Sequence, residues 1–181
     1  LPGSNARYWR WWGEQWKLEP QDGILGFLYR ANLPALPQPQ APADLPASKI
    51  FHGIGVASLH TTLLSAKEDV HFLFKSSPFG SLSHGHNAQN GFQLTAYGET
   101  LLPACVYRDY HGSQFHLKWV HQTVSQNALL IDGKGQIPHS GEAQGKIAAY
   151  ELQPRWDYVC GDATRAYGGR VERALRHVVF V

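Results

Sequence analysis

An antiparallel β-sandwich preceded by short helices is the architecture this sequence predicts. Three observations lead there. From Lys49 onward the chain breaks into short runs of β-branched and aromatic residues divided by Gly, Pro, Ser, Asn and Asp. Ahead of them, residues 33–48 ("LPALPQPQAPADLPAS") carry five prolines, which neither continue a helix nor donate to a ladder, so an extended connector is expected. Ahead of that, aromatic residues recur at helical spacing.

Taken in order, residues 4–18 ("SNARYWRWWGEQWKL") predict a helix capped by Ser4 or Asn5. Trp9, Trp12 and Trp16 share one face of it, a stripe best suited to a packed core, with a sugar-stacking platform as the other reading. Pro20 and Gly23 interrupt the pattern, and "DGILGFLYRAN" predicts a second short helix, giving a helical segment over 1–32. The sandwich is expected over 49–181, from "GVASLHTTL", "DVHFLFK", "GFQLTAYG", "NALLIDG", "GKIAAYEL", "WDYVCGDA" and "VERALRHVVFV". In "GFQLTAYG", Phe92, Leu94 and Ala96 alternate with Gln93, Thr95 and Tyr97, the period of a half-buried strand. "IDGKGQ" holds an Asp-Gly turn signal. The last run stops at "RHVVFV" and the chain contains no methionine, so a piece of a longer protein is expected.

Composition narrows function. Sixteen basic residues against 14 acidic ones leave a net charge of +2, without a basic run interleaved with aromatics, so nucleic acid is not an expected partner. No stretch approaches the roughly 20 apolar residues of a membrane span. Two cysteines, Cys105 and Cys160, do not make a disulfide framework and read as free thiols. The ten histidines are the oddity. His84 and His86 stand two apart within "FGSLSHGHNAQNGF", among Gly80, Gly85 and Gly91. On a strand, such a pair would face one side, where it could chelate an ion or bind an anion and move a proton. Asn87, Gln89 and Asn90 add neutral donors and acceptors suited to sugar hydroxyls or carboxylates. A second cluster, Tyr107, Arg108, Asp109, Tyr110, His111, His116, Lys118 and His121, predicts a rim loop whose Arg108 and Lys118 could neutralise a carboxylate. A solvated polar turn is the bland reading of either cluster. No Cys-x-x-Cys, P-loop, dinucleotide fingerprint or nucleophile elbow occurs.

The blocks "FKSSPFGSLSHGHNAQNGFQLTAYGETLL", "YHGS" and "W…QTVSQNALLIDGKGQ" resemble, in order and spacing, the C-terminal β-sandwich domain of heparinase II/III-like polysaccharide lyases, over about residues 48–181. The preceding helices resemble the end of the helical toroid that comes before this sandwich. The resemblance implies β-elimination on an acidic, uronate-containing polysaccharide, in the periplasm or outside the cell. It implies that an upstream helical domain supplies a tyrosine and other polar groups, so the piece alone is expected to be inactive. His84 takes the position that binds the carboxylate or assists proton transfer, and Asn87, Gln89, Asn90, Tyr107, Arg108 and His116 are the candidate substrate contacts. His86 takes a position that often ligates a divalent metal such as zinc. The family's other ligand positions carry Ala104, beside Pro103, and Gln126 here, and one histidine does not make a zinc site. His116 or His121 would have to substitute. Two alternatives are a lyase-like module that only holds polysaccharide, and a cupin-type metal enzyme, whose acidic ligand position falls near Asn90.

Overall fold

The computed structural model describes residues 5–17, 37–105 and 109–181. The chain divides into two compact units, residues 1–45 and 46–181. In the first, helix α1 (Ala6–Gln15) is the described element. Gln40 N donates to Arg7 O at 3.1 Å, and Arg10 donates to Pro37 O at 2.7 Å. Tyr8 donates to Asp44 at 2.8 Å, so the stretch 37–44 is bonded to α1 rather than free of it. Trp9, Trp12 and Trp16 are exposed by 57%, 45% and 61%, which corrects the expectation of a buried stripe. They lean on each other instead, Trp9 edge-on to Trp12 at 6.0 Å and Trp12 tilted against Trp16 at 6.3 Å between centroids. The second expected helix and Tyr107 and Arg108 lie outside the described residues.

The second unit is the sandwich. Strands β1 (Lys49–Phe51), β2 (Val56–His60), β3 (Val70–Lys75), β4 (Gly91–Ala96) and β5 (Glu99–Leu102) form an antiparallel five-stranded sheet in sequence order. Strands β6 (Lys146–Gln153), β7 (Trp156–Asp162) and β8 (Leu175–Phe180) form an antiparallel three-stranded sheet. Alternation explains the core. Ile50, Ala57, Phe74 and Phe92 are register partners across four strands, with Leu59 opposite Phe72. These side chains share one face and meet Ile147, Leu152, Val159, Val178 and Phe180 of the other sheet. The packing is tight enough to require Gly161. A Cβ there would lie 2.5 Å from the Phe74 ring and 2.2 Å from Asn90 Oδ1.

One run and two short strands depart from expectation. "NALLIDG" forms no strand; it yields an isolated bridge, Ile131 with Lys134, around the Asp132-Gly133 turn, whose φ values are +50° and +70°. Leu129 and Leu130 are 46% and 40% exposed, so no sheet claims this apolar pair. Conversely, β1 has three residues and every residue of β5 is exposed, so neither carries a run or an alternation strong enough to read. A smaller core, Ala143, Ala163, Ala166, Tyr167 and Ala174, packs with Ile131, Ile137 and Val171. It anchors the long loops that build the site.

Candidate functional site

The β3–β4 connection, residues 76–90, is irregular, and its polar side chains are spent on shaping it. Gln89 is fully buried. Its Oε1 accepts from Ser77 N at 2.7 Å, and its Nε2 donates to Ala143 O at 2.9 Å and Gly80 O at 3.3 Å. Its backbone exchanges two hydrogen bonds with the Gln136 amide, at 2.9 and 2.7 Å. Asn90, at φ +57°, donates to Gly161 O and Ala174 O, both at 3.0 Å, while its buried Oδ1 has no partner. Asn87 N donates to His121 O at 2.9 Å, and Asn87 Oδ1 accepts from His139 N at 3.1 Å. Buried amides used this way satisfy loop backbone that no ladder reaches.

His84 and His86 therefore sit on a loop, not on a strand; both line one small cavity, but their ring neighbours differ. His84 is exposed and its ring is 5.5 Å from that of His111; His86 is 5.3 Å from His121. Between them Gly85 is required, because a Cβ would lie 2.9 Å from Leu82 O and 3.1 Å from Ser81 Cα. The second cluster folds as a π-helical turn (His116–Val120) followed by a 3-10 turn (Thr123–Ser125). His111 to His116 is 4.8 Å, His116 to His121 is 4.0 Å, and His121 to His139 is 5.9 Å with the rings nearly parallel. Six of the ten histidines thus form one chain of rings drawn from three loops. Ser83, Asn90, Asn127 and His139 all hold left-handed backbones in these loops, which cost about 1–3 kcal/mol each and concentrate where geometry is imposed.

A cavity of about 500 Å³ opens beside these rings, lined by Ser83, His84, Asn87, His111, His116, Leu117, His121, Gln122, Pro138 and His139. Among the described residues its lining has five imidazoles and no carboxylate, lysine or arginine. Gly112 N donates to His116 Nδ1 at 2.9 Å, which makes Nδ1 an acceptor and puts the neutral ring's proton on Nε2. Burial, then the neighbouring His116, His86, His139 and His111, push His121 down to about 4, so it is neutral at pH 7. A site of this kind can offer ring N–H donors to an oxyanion, and the exposed His84 is one of its lining residues.

Of the residues singled out from sequence, His84, Asn87, His111, His116 and His121 line this cavity. Gln89 and Asn90 do not; they lie beneath it, with their amide nitrogens committed to backbone carbonyls. His139 was missed. It lies in "IPHSGE", where nothing but its residue type marks it.

His86 lines a neighbouring cavity of about 250 Å³ with Lys75, Ala104, Gln126 and others. The family's metal does not fit this donor set. Ala104 has no ligand atom. Gln126 turns its Nε2 to Val120 O at 2.7 Å, Cys105 O at 2.8 Å and Ser125 Oγ at 3.1 Å. Lys75, whose ammonium burial pushes below its ordinary value, lines the same cavity and brings no ligand carboxylate or imidazole to it. Among the described residues no three His, Cys, Asp or Glu side chains are placed to share an ion, the histidine chain included.

The family profile described as Heparinase II/III-like, C-terminal, matches residues 43–177. No curated protein matches in sequence. The fold is similar to that of heparan sulfate lyase HepC of Pedobacter heparinus, at 19% identity and a TM-score of 0.64, over 100% of this chain and 26% of that one. A structure of heparinase III is also similar, at 19% identity and a TM-score of 0.59, over 80% of this chain and 22% of that one. The chain thus spans about a quarter of the length of these neighbours. With three quarters of its residues covered by the profile, and with the sandwich and its histidine loop in place, the chain belongs to the heparinase II/III-like family, through that family's C-terminal domain.

Proposed function

We propose that this chain is the sandwich portion of a polysaccharide lyase that cleaves an acidic, uronate-containing polysaccharide by β-elimination. The observation that carries the reading is the imidazole-lined cavity, with no carboxylate among its described lining residues and with the exposed His84 as part of its wall. In β-elimination the C5 proton leaves to a base, the C4–C5 double bond forms, and the C4–O bond breaks as the departing oxygen gains a proton. Each step is eased by donors that neutralise the uronate carboxylate. The inner imidazoles, with Asn87, receive the carboxylate or a neighbouring sulfate, and His84 exchanges the proton. Tyr107 and Arg108 stand as further substrate contacts, and Gln89 and Asn90 as the support of the loop. An upstream helical domain supplies the remaining groups, and the periplasm or cell exterior is where such a substrate is met.

The test is His84→Ala in the full-length protein, assayed on heparan sulfate and other uronate polysaccharides by the ultraviolet absorbance of the unsaturated product. Turnover is expected to fall at least about a hundredfold, the usual scale for removing an acid–base group. Undiminished turnover rejects the role of His84. The absence of the family's ligand types at Ala104 and Gln126 favours a second reading, a module that holds polysaccharide without cleaving it. Binding of heparan sulfate by the full-length protein without any unsaturated product would select that reading.

A further inference from the structure

On the outer face of the five-stranded sheet, whose Val56, Leu73 and Lys75 also line the cavity of His84 and His86, three side chains make a connected line. Ser58 Oγ is 3.0 Å from His60 Nε2, and His60 Nδ1 is 2.7 Å from Asp69 Oδ2. The local fold builds this directly. Ser58 and His60 are two apart on β2 and so share a face. Asp69 stands one residue before β3, and its other oxygen, Oδ1, accepts from Thr61 N at 3.0 Å, Thr61 Oγ1 at 3.1 Å and Thr62 N at 3.1 Å. The carboxylate is thereby locked with Oδ2 turned to the imidazole. Its side chain is 12% exposed and that of His60 20%. Despite the cost of burial, these hydrogen bonds hold the Asp69 carboxyl below its ordinary value, so it is charged at neutral pH.

His71, the register partner of His60 on β3, completes the arrangement. Its ring lies flat on that of His60, 3.9 Å away at 7°, and its Nε2 is also 3.0 Å from Ser58 Oγ. Burial first, and then His60, lower His71 from its ordinary value, so it is neutral. One proton order satisfies every contact: His71 Nε2–H donates to Oγ, Oγ–H donates to His60 Nε2, and His60 Nδ1–H donates to Asp69. That is a serine aimed at a base whose tautomer is fixed by a carboxylate, the geometry by which a serine nucleophile is recognised whatever the fold. His60 and Thr61 also line a cavity of about 510 Å³ at the end of the sandwich, beside Arg155 and Trp156.

We propose that Ser58 is a nucleophile toward short-chain esters, with His60 as its base and Asp69 as the group that positions His60. Ser58 Oγ adds to the ester carbonyl carbon while its proton passes to His60 Nε2. The alkoxide then departs, takes that proton and leaves as the alcohol, with the acyl group on Oγ. Water, deprotonated by His60, adds to the acyl carbon, and the carboxylic acid leaves as Oγ regains a proton. His71 Nε2–H is the donor at the reacting centre. The inference does not rest on lyase chemistry, and its test does not use it.

The intact protein is treated with a fluorophosphonate probe and mapped by peptide mass spectrometry, and 4-nitrophenyl acetate hydrolysis is followed in parallel. Label on Ser58 is expected, absent from Ser58→Ala, with a labelling rate that rises as an imidazole deprotonates. Asp69→Asn, which presents an amide where the tautomer-fixing carboxylate was, is expected to slow labelling and hydrolysis by at least about tenfold. No label at Ser58 in the intact protein overturns the proposal, as does a rate unchanged in Asp69→Asn. Mapping of the unsubstituted chain decides the matter even if Ser58→Ala does not fold.

Discussion

The rings of His116 and His121 meet almost edge to face, 4.0 Å between centroids at 61°, in a cavity whose described lining contains no carboxylate. Two imidazoles this close do not both hold a proton without cost, since like charges disfavour the charged form and burial disfavours it further.

Stability is therefore expected to fall with acid before the carboxylates titrate. The folded His121 is pushed down to about 4 from an ordinary 6.5. Between those values the unfolded chain binds a proton that the folded chain does not. Stability is full above the upper value and declines as pH drops toward the lower one, by on the order of 3 kcal/mol. Denaturant unfolding in steps from pH 7 to pH 4 measures this, and His121→Gln is expected to flatten the profile. Below that window Asp69 and Asp162 take over, both held low by hydrogen bonds despite partial burial.

Gly161→Ala tests the contact between the sheets. The added methyl meets the Phe74 ring at 2.5 Å and Asn90 Oδ1 at 2.2 Å. Overpacking of this kind costs about 1–3 kcal/mol, read as a lower denaturation midpoint with an unchanged slope.

Gln89→Leu tests the support beneath the site. It strips the partners from Ser77 N, Gly80 O and Ala143 O. Unpaired buried groups cost about 1–3 kcal/mol each, so a loss of at least about 3 kcal/mol is expected. Gly85→Ala, by contrast, is expected to leave most of the stability while displacing both histidines of the loop, seen as shifted imidazole resonances.

Prolonged dialysis against a chelator is expected to leave the melting temperature unchanged, and elemental analysis of the purified chain is expected to find zinc well below one per chain. The basis is the donor set around His86, with Ala104 in one ligand position and a committed Gln126 amide in another. Stoichiometric zinc, or a melting temperature lowered by the chelator, would refute it.

How much could be read beforehand depends on how local the cause is. Strand β3 and strand β4 announce themselves because Phe72, Phe74 and Phe92 fall on one face of a short alternating run. The Asp132-Gly133 turn is likewise local. The exposed tryptophans and the loop conformation of "NALLIDG" are not, because burial there depends on what the fold brings alongside. At the site, residue types flagged His84, His86 and the 111–121 group, but their assembly into one wall needed three loops to converge, and His139 had no neighbour in sequence to point to it. Gln89 and Asn90 were misleading for a related reason. An amide in a glycine-rich stretch looks available to a ligand until the distant carbonyls of Ala143, Gly161 and Ala174 are seen to claim it.

Arg176 of β8 donates through one nitrogen to both Asn90 O and Asn127 O at 2.7 Å, with its guanidinium 5.4 Å above the Phe92 ring. The final strand is thereby riveted to the two segments that frame the histidine loops. In hydrogen exchange, amides of β8 and of these loops are expected to lose protection together, as one cooperative block. Loosening β8 would then reach the histidine loops without touching any of the six rings that line up there.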